Sequence, residues 1–165
     1  KNKISFLKKS FNNFSLKKLD KINLHTPEIS EHTSFIAKQK NIRNILKIFQ
    51  IQFAQKFKRV CIEGRDIGTV ILPKADIKFF FRCSLDVAAR RRFKELKKID
   101  SKIKLKDVKK ALKIRNYRDK TRKNSPLLKS HDAIIVDTGK LRNIKSMINK
   151  LSKELEIKLI NKYGN

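Results

Sequence analysis

The sequence predicts an α/β fold with a parallel sheet, and three observations predict it. Short apolar runs occur at Arg59–Glu63, Ile77–Cys83 and Ala133–Thr138. Between and after them lie stretches whose apolar residues recur at helical spacing. No internal repeat or low-complexity linker interrupts the 165 residues, so one domain with a real core is expected. Apolar strands alternating with amphipathic helices suit a sheet covered on its faces by helices.

Residues 1–25 alternate Phe, Leu and Ile with Lys, Asn and Ser and show no strong element. Ile4, Phe6, Leu7, Phe11, Phe14, Leu16 and Leu19 are expected to cover an edge of the core. Thr26-Pro27 starts a helix, with threonine as cap and proline in the first turn. From Ser34 onward Ile42, Leu46, Phe49, Phe53 and Phe57 form a helical stripe of ordinary core residues. The run at 59–63 is a short buried strand, and Gly64 to Pro73 is a turn followed by a short extended piece. Residues 77–83 make a second strand. Ser84 or Asp86 caps the next helix, with Ala89, Phe93 and Leu96 inward. A very basic helix spans about Lys104 to Lys123 and stops before Ser125-Pro126. Residues 133–138 make the third strand. A closing helix carries Leu141, Ile144, Ile148, Leu151 and Leu155 on one stripe.

The charge balance is extreme: 43 Lys+Arg against 15 Asp+Glu, a formal net charge of +28. Attraction to polyanions at low salt follows from charge alone. The excess is mostly lysine spread along the chain. Neither arginine-led base readout nor an aromatic stacking platform is evident, so specific nucleic-acid recognition is not expected. Cys61 and Cys83 lie in apolar runs and are expected to be buried, reduced thiols of a cytoplasmic protein. His25, His32 and His131 are isolated and lack metal-ligand spacing. No apolar run approaches the roughly 18 residues of a membrane span.

The chemistry concentrates in Glu63-Gly64-Arg65-Asp66-Ile67-Gly68-Thr69-Val70, directly after an apolar run. The arginine offers a cation to a phosphate, and the aspartate offers a carboxylate to a ring amine or a hydroxyl. Open α/β sheets bind ligands at the carboxyl ends of their strands, which is where this segment is expected. The competing explanation is a plain Arg–Asp ion pair in a turn. A second set is Arg115, Arg118, Asp119 and Arg122, whose offsets of three, four and seven place them along one helix face. Arginine at these positions, in a segment otherwise full of lysine, offers planar forks for bidentate phosphate contact. Arg90-Arg91-Arg92 follows the second strand, and one of these is expected to face a nucleotide. The four glycines allow no G-x-x-x-x-G-K-S/T loop, so a donor-phosphate cradle is missing from this sequence.

Taken together these residues resemble the bacterial cytidylate kinases, of the nucleoside-monophosphate kinase class. The matching text is Thr26-Pro27-Glu28-Ile29-Ser30, Ser34 to Arg43, Glu63 to Val70, and Pro73-x-Ala75-x-Ile77-Lys78-x-Phe80. It continues with Ala89-Arg90-Arg91-Arg92, Arg115-x-x-Arg118-Asp119-x-x-Arg122-x-x-x-Pro126-Leu127 and Asp132 to Thr138. The resemblance runs from about residue 26 to the end. It implies a doubly wound parallel sheet of P-loop kinase type with a helical lid. Residues 1–33 would be the remainder of an acceptor-binding insertion, 34–99 and 126–165 an incomplete α/β core, and 100–125 the lid.

The resemblance also implies ATP as donor, CMP or dCMP as acceptor, and magnesium (Mg2+) held between the nucleotide phosphates. Ser34, Arg43 and Asp66 would meet the cytosine, and Arg65 the acceptor phosphate. Arg115 and Asp119 would hold the ribose, Arg122 the phosphates, and Arg91 would lie on the ATP side. Arg65, Arg118 and Arg122 would supply charge to the transferring group, and the chain would act as a monomer. The family's N-terminal strand, P-loop and first helix have no counterpart here. An N-terminally truncated kinase with little activity of its own is therefore expected, poorly folded unless the missing piece is supplied. The chain also starts without methionine. A basic nucleic-acid-binding protein and a non-catalytic CMP-binding fragment are the alternatives.

Overall fold

The computed structural model describes residues 5–6, 9–10, 26–36, 39–140 and 143–164. In chain order the elements are α1 (Pro27–Ile36), α2 (Lys40–Lys56), a π-helical turn (Ile67–Ile71), β1 (Phe79–Arg82), α3 (Leu85–Lys97), α4 (Leu105–Thr121), β2 (Ile134–Asp137) and α5 (Ile144–Tyr163). The strands pair in parallel, Phe79 with Ile134 through Arg82 with Asp137. A parallel pair needs a crossover, and α3 and α4 provide it.

Local chemistry sets the helix starts. The Ile29 amide donates to Thr26 Oγ1 at 3.3 Å, as the Thr-Pro signal predicts. Ser84 caps α3, its hydroxyl accepting from the Val87 amide at 3.3 Å, and Asp86 adds negative charge to the first turn. Asn143 caps α5 by accepting from the Ser146 amide at 2.8 Å. α3 and α4 pack against each other. Ala89 and Leu96 of α3 and Val108 of α4 are buried, as are Val136 of β2 and Ile71 of the π-helical turn. Full burial of a residue such as Val136 is worth about 1.5–3 kcal/mol.

Several expectations fail, and they share a physical cause. The predicted strand at 59–63 is not one: residues 60–64 have no regular structure, and Val60 is 42% exposed. A strand exists only where its backbone groups find a ladder partner, and the only described ladder joins β1 to β2. Cys61, expected to be buried, is exposed, and Cys83 is half-buried. The α2 stripe is half-buried at Ile42, Leu46, Phe49 and Phe53 and exposed at Phe57, so it is not core. On α5, Ile144, Ile148 and Leu155 are exposed. In each case the two-stranded sheet of the described residues leaves the apolar face uncovered. Leu141 and nearly all the predicted edge cover in 1–25 lie outside the described residues, and the described Phe6 is exposed.

Candidate functional site

The π-helical turn presents Asp66. Its carbonyl accepts from the Val70 amide at 2.9 Å, the Ile71 amide at 3.3 Å and the Thr69 hydroxyl at 3.4 Å. The segment expected to be a turn followed by a short extended piece is therefore a wide helical turn over Ile67–Ile71, a form often found at functional sites. The turn leaves the Asp66 side chain buried, with Arg43 of α2 hydrogen-bonded to Oδ2. Arg122 Nη2 stands 3.9 Å from Oδ1.

Asp119, near the end of α4, is the second buried carboxylate. Arg65 Nε lies 3.3 Å and Arg115 Nε 3.9 Å from its Oδ2, while Arg122 Nη1 lies 3.5 Å from Oδ1. Arg122 follows α4 immediately, and its Nε donates to the Ser125 carbonyl at 2.6 Å. Ser125 reaches that geometry at φ 52, a left-handed conformation that costs a serine on the order of 1 kcal/mol. The Leu127 amide closes the bend by donating to the Asp119 carbonyl at 2.7 Å. Strain after α4 is thus tied to the placement of one guanidinium.

The electrostatics favour an anion. Four guanidinium groups face two carboxylates. Burial, and then the nearby Arg115, hold the Arg65 pKa below its ordinary value despite Asp119. Burial, and then Arg43, do the same to Arg122. Both groups stay charged at neutral pH, and both would be relieved by a further negative charge. Arg122 Nη2 and Asp119 Oδ2 are buried without a hydrogen-bond partner among the described residues. Arg65 therefore stands at ion-pair distance from Asp119 Oδ2 without bonding alignment. An unsatisfied donor and an unsatisfied acceptor within one cluster suit a ligand carrying both a phosphate and a hydroxyl.

The structure thus brings together Arg43, Arg65, Asp66, Arg115, Asp119 and Arg122, six of the nine residues selected from the sequence. Arg118 does not join them: it is exposed and pairs with no carboxylate among the described residues. The helical face that holds Asp119 inward turns Arg118 toward a cavity of about 380 Å3, lined by Tyr117, Arg118, Thr121, Arg122, Lys123 and Asn124. Arg91 is engaged elsewhere, its guanidinium donating to Thr138 Oγ1 at 3.0 Å and to the Thr138 carbonyl at 2.8 Å. Its neighbour Arg92 pairs with Glu95 at 3.0 Å. Ser34 lies on α1, and its side chain falls outside the described residues.

Lys78 and Asp132 were not selected as site residues, yet they brace the turn that carries Asp66. Lys78 Nζ donates to Asp132 Oδ1 at 3.0 Å and Oδ2 at 2.8 Å, and also to the Pro73 carbonyl. The signal available in the sequence was a lysine inside the apolar run Ile77–Cys83. Among the described residues no group of three His, Cys, Asp or Glu side chains could hold a metal ion. No helix among the described residues is long and apolar enough to cross a membrane.

Parallel strands joined through helices, with arginines converging on two buried carboxylates, define an α/β protein with a site suited to phosphate esters. The sequence model of the cytidylate kinase family matches residues 1–157. A cytidylate kinase of Clostridium tetani (strain Massachusetts / E88) is 37% identical over 141 residues, covering 86% of this chain and 62% of the relative. One from Clostridium botulinum (strain Loch Maree / Type A3) is 40% identical over 128 residues, covering 78% of this chain and 58% of the relative. One from Rickettsia canadensis (strain McKiel) is 39% identical over 128 residues, covering 77% and 59%. The chain belongs to the cytidylate kinase family, and with it to the nucleoside-monophosphate kinase class of P-loop folds. It spans about three fifths of the length of these relatives.

Proposed function

We propose that this chain carries the acceptor half of a cytidylate kinase, which moves the γ-phosphoryl of ATP to CMP or dCMP. The observation that supports this best is the pair of buried carboxylates, Asp66 and Asp119, set among Arg43, Arg65, Arg115 and Arg122. Asp66 accepts from the exocyclic amine of cytosine, with Arg43 and Ser34 beside the ring. Arg43 occupies Oδ2, which leaves acceptor capacity at Oδ1. Uracil presents a carbonyl where cytosine presents the amine. Setting it against Asp66 costs on the order of 1–3 kcal/mol. Arg65 takes the acceptor phosphate, and Arg115 and Asp119 take the ribose.

The chemistry is in-line displacement. An oxygen of the acceptor phosphate attacks the γ-phosphorus, a new P–O bond forms, and the bond to the β–γ bridging oxygen breaks to release ADP. Arg65 and Arg122 neutralise charge on the transferring group; Arg118 would join them, and Arg91 would reach ATP, only by leaving the positions they hold in this structure. The unsatisfied Nη2 of Arg122 suits a role that begins only when phosphate arrives. These 165 residues contain no G-x-x-x-x-G-K-S/T sequence, so the donor phosphates lack their usual cradle here. Phosphoryl transfer by these residues alone is accordingly low, and a P-loop segment supplied from a longer relative raises it.

The deciding experiment is calorimetric titration with CMP and UMP at moderate salt, after circular dichroism has shown the chain to be folded. CMP binds the wild-type chain at least about tenfold more tightly than UMP. Asp66→Ala removes that preference by weakening CMP, with little change for UMP. Equal binding of the two nucleotides by the wild-type chain would sink the proposal. The net charge of +28 supports a second activity, nonspecific attraction to polyanions, which would be indifferent to Asp66→Ala.

A further inference from the structure

Three charged side chains are buried among the described residues: Asp66, Asp119 and Lys78. The first two belong to the arginine cluster. Lys78 does not, and burying an ammonium is costly unless it is fully engaged. It is engaged on three sides. Its Nζ donates to both oxygens of Asp132, to the Pro73 carbonyl and, at 3.5 Å, to the Ser130 hydroxyl. Its stem lies under Gly68, where an added Cβ would come within 3.2 Å of Lys78 Cδ. Its carbonyl accepts from the Ile134 amide at 2.9 Å, at the start of β2.

These contacts converge on one short segment. Gly68 is in the π-helical turn, and Pro73 follows it by two residues. The turn itself hangs from the Asp66 carbonyl through the Val70 and Ile71 amides. Lys78 therefore holds the middle and the far end of the segment whose near end is Asp66. It fastens that segment to the approaches of both strands. An apolar side chain could fill the same space at lower desolvation cost, but it could not hold the Pro73 carbonyl or Asp132.

We propose that Lys78 is a positioning residue for Asp66: by clamping the π-helical turn it fixes the carboxylate and so sets the preference for cytosine over uracil. The effect on nucleotide preference rests on the acceptor-site function proposed above, whereas the clamping of the turn does not.

The test compares wild type with Lys78→Met, which keeps the stem but loses the ammonium, and with Lys78→Arg, which keeps donors. In Lys78→Met the CMP:UMP affinity ratio falls about tenfold, and Lys78→Arg recovers part of it. A merely structural role would lower both affinities together and leave the ratio unchanged, which would overturn the inference. The second readout needs no ligand. In Lys78→Met the Val70 and Ile71 amides exchange with solvent at least about tenfold faster, while the Arg122 amide at the end of α4 does not. Unchanged exchange at Val70 and Ile71 would overturn the clamp. If wild type shows no CMP preference, the proposed function falls and amide exchange alone decides the role of Lys78. Should Lys78→Met fail to fold, Asp132→Asn removes the counter-charge from outside the turn. It gives the same signature at smaller amplitude, and unchanged exchange in that variant overturns the proposal equally.

Discussion

Asp119 faces three arginines with one carboxylate: Arg65 and Arg115 at Oδ2, and Arg122 at Oδ1. Replacing it with asparagine keeps the shape but removes the negative charge, leaving half-buried Arg122 with less compensation. Asp119→Asn should lower stability by about 2–3 kcal/mol, read from urea unfolding. Asp132 behaves differently because it is partly exposed. Hydrogen bonds from Lys78 and then Ser130 hold its carboxyl below the ordinary aspartate range. A carboxyl depressed by folding adds stability above its unfolded pKa of about 4, and that contribution is lost as pH falls below it. Carbon-detected NMR titration should show Asp132 still ionised at about pH 3 in wild type and moved toward the ordinary range in Lys78→Met. The residue-level pattern was partly legible beforehand. The types and order of Arg65, Asp66, Arg115, Asp119 and Arg122 marked residues that the structure brings into one cluster, but spacing alone could not say that Arg118 turns away. Helical offsets of three and four both count as one face, and only the packing of α4 against its neighbours chooses between them.

At the level of elements, signals carried by single side chains held best. Thr26 and Ser84, both read as caps, each accept a backbone hydrogen bond at a helix start. Ser84→Ala should cost about 1 kcal/mol in the same urea assay, because it frees the Val87 amide at a solvent-facing end. Elements that depend on distant partners held less well. Residues 59–63 have strand composition but no strand among the described residues pairs with them. The turn carrying Asp66 was expected as a turn, yet it is π-helical and packs against Lys78, the residue before β1, which no local pattern encodes. α5 lacks buried residues, and its end is tied by Lys162 and Tyr163 to Asp76 in the loop before β1.

For the whole molecule, the notable imbalance is between a small buried core and many exposed apolar side chains. Phe81 and Ile135 on the strands and Ile144, Ile148, Ile157 and Ile160 on α5 are all more than two fifths exposed. Exposed apolar faces beside open strand edges favour association between chains. The net charge of +28 opposes this by mutual repulsion and draws polyanions instead. Binding to heparin should weaken linearly on a log–log plot as salt rises, with a slope that Asp66→Ala leaves unchanged. CMP binding should respond to Asp66→Ala at every salt concentration.

The sequence by itself determined the parallel α/β character, the caps at Thr26 and Ser84 and the family, and it singled out most of the residues that the structure gathers around Asp66 and Asp119. These depend on side-chain type, short-range spacing and local hydrogen bonding, which the chain carries at each position. Only the tertiary structure decided which arginines converge on Asp66 and Asp119, that Arg91 is engaged by Thr138, and that Lys78 lies beneath the site. Those outcomes depend on partners far apart in the chain, such as Arg43 with Asp66 or Lys78 with Asp132. A buried charge takes its role from whatever faces it once the chain has folded.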